Sequence, residues 1–397
     1  MAEVSRRAVL GGLVAGAAVP AWAQQASRTT LGFANGERLI DSGFPEKGPM
    51  IVQRTRAPLL ETPFEVFDRG IFTPNDQFYV RWHYQDIPLE VNTRSFRLTL
   101  GGAVARPLSL SLAELLKMPR VELAAVNQCS GNSRGFVSPR VAGAQWGHGA
   151  MGNARWLGVP LRHLLDLAGV KPGAVAVRFA GLDQPPSDAP AFVKSLAIDH
   201  ARDGEVMVAF AMNGTALPML NGFPLRLVVP GWYSTYWVKA LDRIEVLTAP
   251  DDGFWMSTAY KVPTAPYGSV APGLADFPTV PISRMVPRSF ITNLRAGARV
   301  PAGSLALRGI AFGGASAVQT VELSMDRGAR WLPATLGPDQ GRYGFRGWQA
   351  ELMVPPGVHD LSVRCTAADG QVQRFEPVWN PGGYMLSTIE TISVTAA

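Results

Sequence analysis

Asn127-Gln128-Cys129-Ser130-Gly131-Asn132-Ser133-Arg134-Gly135-Phe136 decides how this chain is read. It holds one of only two cysteines in 397 residues. Glycine, amide and hydroxyl groups surround the sulfur and leave room for something bulky beside it. Arg134 follows closely, and a neighbouring guanidinium favours the thiolate, the form that binds metal. Lone cysteines also serve as small apolar core residues. Taken by itself, the segment therefore reads equally well as a structural site. The run Arg120 to Asn127 has the texture of a buried strand, which delivers Cys129 at its end.

Outward from this segment the chain reads as α+β. Gln77 to Gln85 alternates like a strand, and Ser95 to Gly101 is another. Ser111-Leu112-Ala113-Glu114 has the form of a capping box opening a short helix. Pro160 to Ala168 is an amphipathic helix closed by Gly169. Val175–Ala180, Glu205–Ala211 and Pro224–Pro230 read as strands, and Trp237 to Leu247 closes this mixed region. Residues 24 to about 70 read as irregular, broken by Pro45, Pro49, Pro58 and Pro63. After Gly268 to Val280, a Pro- and Gly-rich linker, the texture changes. Five short alternating strands follow, Ser304–Ala311, Val318–Met325, Ala350–Val354, Asp360–Cys365 and Ile389–Val394, and they predict a β-sandwich. The domain reading is a segment 1–23, a mixed domain 24–275 and a sandwich 281–397.

Met1 to Ala23 reads as an export signal. Ser5-Arg6-Arg7 is a twin-arginine pattern, an apolar run follows to Ala21, and Ala21-Trp22-Ala23 is a small-x-small cleavage site. The run is too short and too rich in Gly and Ala for a membrane span. The expectation is a periplasmic protein exported already folded, a route commonly taken by chains with an inserted cofactor. In an oxidising compartment a Cys129–Cys365 disulfide is open to the sequence, although Cys365 also reads as a buried apolar residue. Hydrophobic residues make up 47% and charged ones 17%, which excludes a disordered chain. The net charge of +6 comes without a basic cluster interleaved with aromatics, which argues against nucleic acid and suits anionic substrates. There is no Cys-x-x-Cys-His, so no c-type haem is expected on this chain.

Three more segments carry chemistry. On Phe78-Tyr79-Val80-Arg81-Trp82-His83-Tyr84 a period of two places Arg81 and His83 on one face and Phe78, Val80 and Trp82 on the other. A cation and an imidazole on one buried face require an anion, and a buried carboxylate is the plain explanation. Asn221-Gly222-Phe223-Pro224-Leu225-Arg226 and Val229-Pro230-Gly231-Trp232-Tyr233-Ser234-Thr235-Tyr236-Trp237-Val238-Lys239 offer amides, hydroxyls, Arg226 and Lys239. Such groups can hold phosphate, or Arg226 and Lys239 can be ordinary surface cations.

In this order, the Arg-x-His strand, the Cys-Ser-Gly-Asn segment, the Val-Pro-Gly-x6-Val-Lys loop and Tyr260-Lys261 resemble the sulfite oxidase family of molybdenum enzymes. The resemblance covers about residues 70–397 and comes nearest to the exported bacterial sulfite dehydrogenases. It implies a mixed α/β molybdopterin-binding domain followed by an immunoglobulin-like dimerisation domain. It implies molybdenum held by one molybdopterin and by the Cys129 thiolate, a ligand type that suits soft metals. It places Arg81, Arg134 and Tyr260 at the substrate. It assigns His83, Asp183, Asn221, Arg226 and Lys239, with Arg81 and Cys129, to the cofactor, and Trp146 to a pocket wall. Asn221 stands where many members carry histidine. Ser234-Thr235-Tyr236-Trp237 departs from the common Gly-Ala-Arg.

The activity implied is oxidation of sulfite to sulfate by oxo transfer, with electrons passed to a c-type cytochrome that serves as acceptor or subunit. Homodimer and heterodimer both stay open. Two other readings remain. One is the molybdenum subunit of a sulfane dehydrogenase, acting on protein-bound sulfur with a dihaem cytochrome. The other is a metal-free binding protein on the same fold. A methionine sulfoxide reductase of this type lacks a C-terminal domain, and residues 281–397 argue against it.

Overall fold

In the computed structural model, which describes residues 27–397, three sheets and a few short helices build the part that contains Cys129. The central sheet runs Thr215–Ala216, Met207–Met212, Met151–Pro160, Val121–Gln128, with Arg226–Val228 also pairing Met207–Met212. Val121–Gln128 is exposed where it starts and fully buried from Ala125 on, so the strand sinks into the core as it approaches Cys129. Its antiparallel register with Met151–Pro160 sets Asn127 opposite Gly152 and Gln128 opposite Met151. A β-carbon at Gly152 would sit 2.6 Å from the Phe78 ring. Glycine is what lets the Arg81-bearing segment lie this close to the cysteine strand.

A second sheet has the order Val193–Ala197, Ala176–Gly181, Leu241–Leu247, Arg97–Gly102, Leu108–Ser111, with one parallel pair between Leu241–Leu247 and Arg97–Gly102. The capping box forms as expected, with Ser111 and Glu114 bonding each other's backbone, and opens Leu112–Leu115. Helix Leu161–Ala168 buries Leu161, Leu164, Leu165 and Ala168 and ends at Gly169, whose φ of 68° is the left-handed conformation glycine adopts freely. Leu161 and Leu164, like the fully buried Trp156 and Phe179, belong to one continuous core. Each such side chain contributes roughly 1.5–3 kcal/mol by leaving water.

Two expectations are corrected. The stretch read as irregular, 24 to about 70, is ordered into strands over its described residues from 27 on. Ser27–Thr30, Glu37–Asp41, Met50–Arg54 and Leu59–Glu61 form an antiparallel meander closed by Val80–Arg81. The prolines fall between these strands, so they set turns without breaking pairs. The long strand expected over Gln77–Gln85 is ordered extended pairing only at Val80–Arg81, because Asn75–Gln77 turns as a 3-10 helix ahead of it. The two faces hold nonetheless. Phe78, Val80 and Trp82 are buried, while Arg81 and His83 point together into a cavity.

The C-terminal part is a β-sandwich. One sheet is Arg288–Ile291, Gly303–Phe312, Arg346–Val354, Thr335–Leu336. The other is Ala298–Val300, Glu390–Ala396, Gly357–Ala367, Val318–Ser324, Leu332–Pro333. Leu305, Leu307, Val321, Leu323, Trp348, Leu361, Val363 and Cys365 fill the space between. Cys365 and Cys129 are both free. Cys365 is a buried core residue whose thiol burial pushes upward. The Pro/Gly-rich stretch after Gly268 is the loop of a hairpin, since Lys261–Pro263 pairs with Thr279–Pro281.

The sandwich reaches back to the cysteine strand. Tyr343 accepts a backbone bond from Val126 at 2.8 Å. Arg288, fully buried, donates to Ser133 Oγ at 2.9 Å and to Glu390. The segment Met1 to Ala23 lies outside the described residues. Among the described residues no helix is long and apolar enough to cross a membrane.

Candidate active site

Cys129 heads a tight loop. Its N–H donates to Ala150 O at 2.9 Å, and its carbonyl accepts from Asn132 N at 2.9 Å. Asn132 Oδ1 takes the Ala150 N–H at 3.0 Å, which ties the loop to the neighbouring strand. Gly131 is required here: a β-carbon would lie 2.3 Å from the Arg134 guanidinium, which folds back over it. Arg134 donates to Gly382 O at 2.9 Å and to Ala144 O at 3.1 Å.

Beside the sulfur lies a narrow, partly open cavity. Among its lining residues are Cys129, Arg81, His83, Asn221, Arg226, Lys239 and Tyr260. Seven of the residues singled out from sequence thus converge on one space from four separate segments. Arg134 and Asp183 are buried near it but off its wall. Trp146 packs into the core and does not line this cavity.

The charge on the wall is unbalanced. Arg81, Arg226 and Lys239 face the cavity, no carboxylate lines it, and none of the three is in a salt bridge among the described residues. Burial, with Arg226 and Arg81 close by, lowers the Lys239 ammonium to about 7, opposed by Asp183. Burial lowers Arg226 to about 10. Asp183 is itself raised by burial against the pull of Lys239. This answers the plain explanation for Arg81 and His83, because no buried carboxylate pairs with either. Unpaired buried cations are costly, so the wall is built for an anion that arrives later.

Unused hydrogen-bonding atoms say the same. Arg81 Nη1, His83 Nδ1, Ser130 Oγ, Arg226 Nε and Thr235 Oγ1 are buried without partners, and all five belong to cavity-lining residues. Native interiors leave few such atoms, and a cluster around one cavity points to a polar ligand.

Arg226 lies against the edge-to-face pair Trp156 and Trp237, with its guanidinium carbon 5.4 and 5.8 Å from their centroids. It donates to Asn221 O at 2.9 Å and Asn127 Oδ1 at 3.1 Å. Lys239 rests over the Trp82 ring at 4.5 Å. Both ends of the Asn221 amide are bonded to the protein. It donates to Tyr79 O at 3.1 Å, and its Oδ1 accepts the Lys47 ammonium. Asn221 therefore shapes this end of the cavity through its neighbours.

On the other side, His83 stacks on Phe192 with centroids 3.7 Å apart, and its Nε2 lies 2.7 Å from the Tyr260 hydroxyl. Burial, and then Arg81 and Lys239, hold the imidazole well below 6.5, so it is neutral. Burial raises the Tyr260 phenol. Tyr260 has φ of 57°, a left-handed conformation uncommon for a bulky residue and typical of functional positions.

Sequence reasoning missed Lys47, Lys194 and Tyr384. Lys47 is buried in the Pro-rich stretch and burial lowers it to about 7. Nothing local marks it. Lys194 is fully buried, donates to Trp255 O at 2.6 Å and lies over Tyr236 at 4.6 Å and Tyr260 at 5.8 Å. A lysine inside the strand Val193–Ala197 was the available signal, since a strand there buries it on both sides.

The donor set fits a metal carried by an anionic organic cofactor. It offers one cysteine sulfur, three basic side chains and a ring of unused polar atoms. Among the described residues no cluster of three or more His, Cys, Asp or Glu could hold a metal by protein ligands alone.

Residues 84–255 match the oxidoreductase molybdopterin binding domain family. The chain is 36% identical over 368 residues to sulfite oxidase of Gallus gallus, covering 87% of this chain and 78% of that protein. It is 33% identical over 370 residues to mitochondrial sulfite oxidase of Homo sapiens, covering 88% of this chain and 66% of that protein. The sulfane dehydrogenase SoxCD from Paracoccus pantotrophus superposes with a TM-score of 0.74 at 24% identity, over 93% of this chain and 88% of that one.

Proposed function

Because this chain belongs to the sulfite oxidase family of molybdopterin-binding oxidoreductases, we propose that it oxidises sulfite to sulfate and passes the electrons to a c-type cytochrome. The observation that carries this reading is the unbalanced positive wall of Arg81, Arg226 and Lys239 around the Cys129 sulfur. Bound there, the molybdenum–molybdopterin group supplies two-electron oxygen-transfer chemistry.

The residues of this chain do the rest. Cys129 is the protein's ligand to the metal. Arg226, His83 and Thr235 hold the pterin and its phosphate with buried atoms that lack partners in the protein, and Lys239 adds its ammonium from the same wall. Asp183 balances Lys239, and Asn221 fixes the Arg226 end through its carbonyl. Arg81, with Nη1 free, captures the sulfite dianion, and Arg134 adds positive potential from behind the cysteine loop. Tyr260, held by neutral His83, orients substrate at the cavity wall. The wall is fixed before substrate arrives, so little reorganisation is needed at the moment of reaction.

Export by the twin-arginine route to the periplasm belongs to the same proposal and is supported by Ser5-Arg6-Arg7. Replacing Arg6 and Arg7 with lysine is expected to strand the protein in the cytoplasm, and unchanged export means another route.

The test of function is purification of the protein, assay of molybdenum and pterin, and measurement of sulfite-dependent reduction of cytochrome c. Stoichiometric molybdenum with sulfite turnover is the expected result. Molybdenum without sulfite turnover, but with activity on a protein-bound persulfide, transfers the assignment to sulfane chemistry. No molybdenum removes the proposal.

A further inference from the structure

Tyr384 reaches the active site although it is carried by the segment between sandwich strands Gly357–Ala367 and Glu390–Ala396. Its ring stacks on Tyr260 with centroids 5.6 Å apart and planes 20° from parallel. The Arg134 guanidinium carbon lies 5.2 Å from the same ring. One side chain thus touches both the tyrosine and the arginine assigned to substrate.

The backbone is built to hold it there. Asn380 Oδ1 accepts the Tyr384 N–H at 3.0 Å, and Asn380 Nδ2 donates to Tyr384 O at 2.9 Å. The next N–H, of Met385, donates at 3.0 Å to the carbonyl of Ser130, the residue after Cys129. Arg134 Nε donates to Gly382 O. A β-carbon at Gly382 would lie 2.4 Å from the Tyr384 ring, and one at Gly383 would lie 2.8 Å from Arg134 Cγ. The segment carries no side chain where it crosses the arginine. The Tyr384 hydroxyl makes no hydrogen bond within the described protein, so the ring is the part under constraint.

We propose that Tyr384 is a positioning residue that the sandwich supplies to the active site: its ring fixes the Arg134 guanidinium behind the cysteine loop and backs Tyr260 at the cavity wall. A desolvated guanidinium over an aromatic face is held both by the ring's quadrupole and by the exclusion of water. Without the ring, Arg134 keeps its two carbonyl bonds but gains freedom, and the Tyr260 ring loses its cover.

This inference rests on the sulfite reading, and the experiment separates the two. Holoenzymes of wild type, Tyr384→Phe, Tyr384→Leu and Tyr384→Ala are compared at equal molybdenum content. Sulfite kinetics and sulfate binding by titration calorimetry are both measured. Tyr384→Leu and Tyr384→Ala are expected to raise KM for sulfite and the sulfate dissociation constant by about five- to thirtyfold, the loss of one buried cation–π contact, with kcat changed far less. Tyr384→Phe is expected to restore wild-type values, because it keeps the ring. The leucine variant fills the volume and guards against collapse in the alanine form. Unchanged KM and sulfate affinity in the leucine variant overturns the proposal, as does a phenylalanine variant as impaired as leucine. If wild type binds sulfate but does not oxidise sulfite, the sulfite reading fails, and the sulfate constants alone decide the role of Tyr384.

Discussion

The hydroxyl of Tyr260 lies 2.7 Å from Nε2 of His83, joining two distant segments of the chain on one wall of the cavity through one hydrogen bond. Both groups are neutral in this pair, since burial lowers the imidazole and raises the phenol. The pair therefore adds no charge and leaves the positive wall to Arg81, Arg226 and Lys239. Its contribution is orientation.

Tyr260→Phe removes this bond and leaves the ring stacked on Tyr384. Sulfite capture then stays mostly intact while the bound anion loses its orienting hydroxyl. The expected result is kcat lowered roughly tenfold or more with a smaller change in KM. Steady-state kinetics at matched molybdenum content checks it, and a pure KM effect contradicts the orienting role.

Arg81→Met addresses capture. Arg81 offers an unused Nη1 at the cavity wall. Losing one charge-assisted hydrogen bond of about 1.5–3 kcal/mol raises KM for sulfite about tenfold or more. Wild-type KM at full metal loading removes Arg81 from the substrate site.

Lys239→Met separates stability from cofactor retention. Burial drives the ammonium down to about 7 against the pull of Asp183, so the lysine does not favour the fold when no cofactor anion faces it. The variant is expected to match or exceed wild type in thermal stability when both lack cofactor, and to retain much less molybdopterin. Analysis of pterin content and melting of both proteins reads the two effects apart. Undiminished pterin content contradicts a phosphate-holding role.

His148 provides a pH test away from the cavity. It stacks on Phe136 at 4.4 Å, its Nδ1 lies 2.8 Å from Ser133 Oγ, and its Nε2 lies 3.4 Å from Glu390. Burial lowers it to about 4, and Arg288, which takes the other oxygen of Glu390, offsets the pull of that carboxylate. A depressed histidine pKa means the unfolded chain takes the proton first. Stability is then full above about 6.5 and is lost as pH falls toward 4, by at most about 1.4 kcal/mol per unit from this group. Urea unfolding of wild type and His148→Gln across this range checks it, with the variant expected to show the shallower loss.

Much of the site was legible because its chemistry is local in sequence. The alternation at Phe78–Tyr84 put Arg81 and His83 on one face even though only Val80–Arg81 pairs as a strand. The sandwich strands were legible from their period of two. What stayed hidden depends on tertiary contact. Lys47 looks like a surface lysine among prolines, and only the folded chain places it on Asn221. Tyr384 lies 255 residues from Cys129 in sequence and meets the site only because the sandwich folds back along the cysteine loop. The meander over residues 27–61 was missed because prolines mark its turns as strongly as they would mark a disordered arm.

The central claim is that Cys129 ties the metal to this wall, and Cys129→Ser tests it most directly. The substitution is nearly isosteric, and the loop is held by backbone bonds that it leaves in place. Sulfite turnover of the purified variant is measured beside its far-ultraviolet circular dichroism and melting temperature. The account predicts a folded protein with sulfite oxidation abolished, because an oxygen ligand donates less charge than a thiolate. A folded serine variant that oxidises sulfite at near wild-type rate contradicts it.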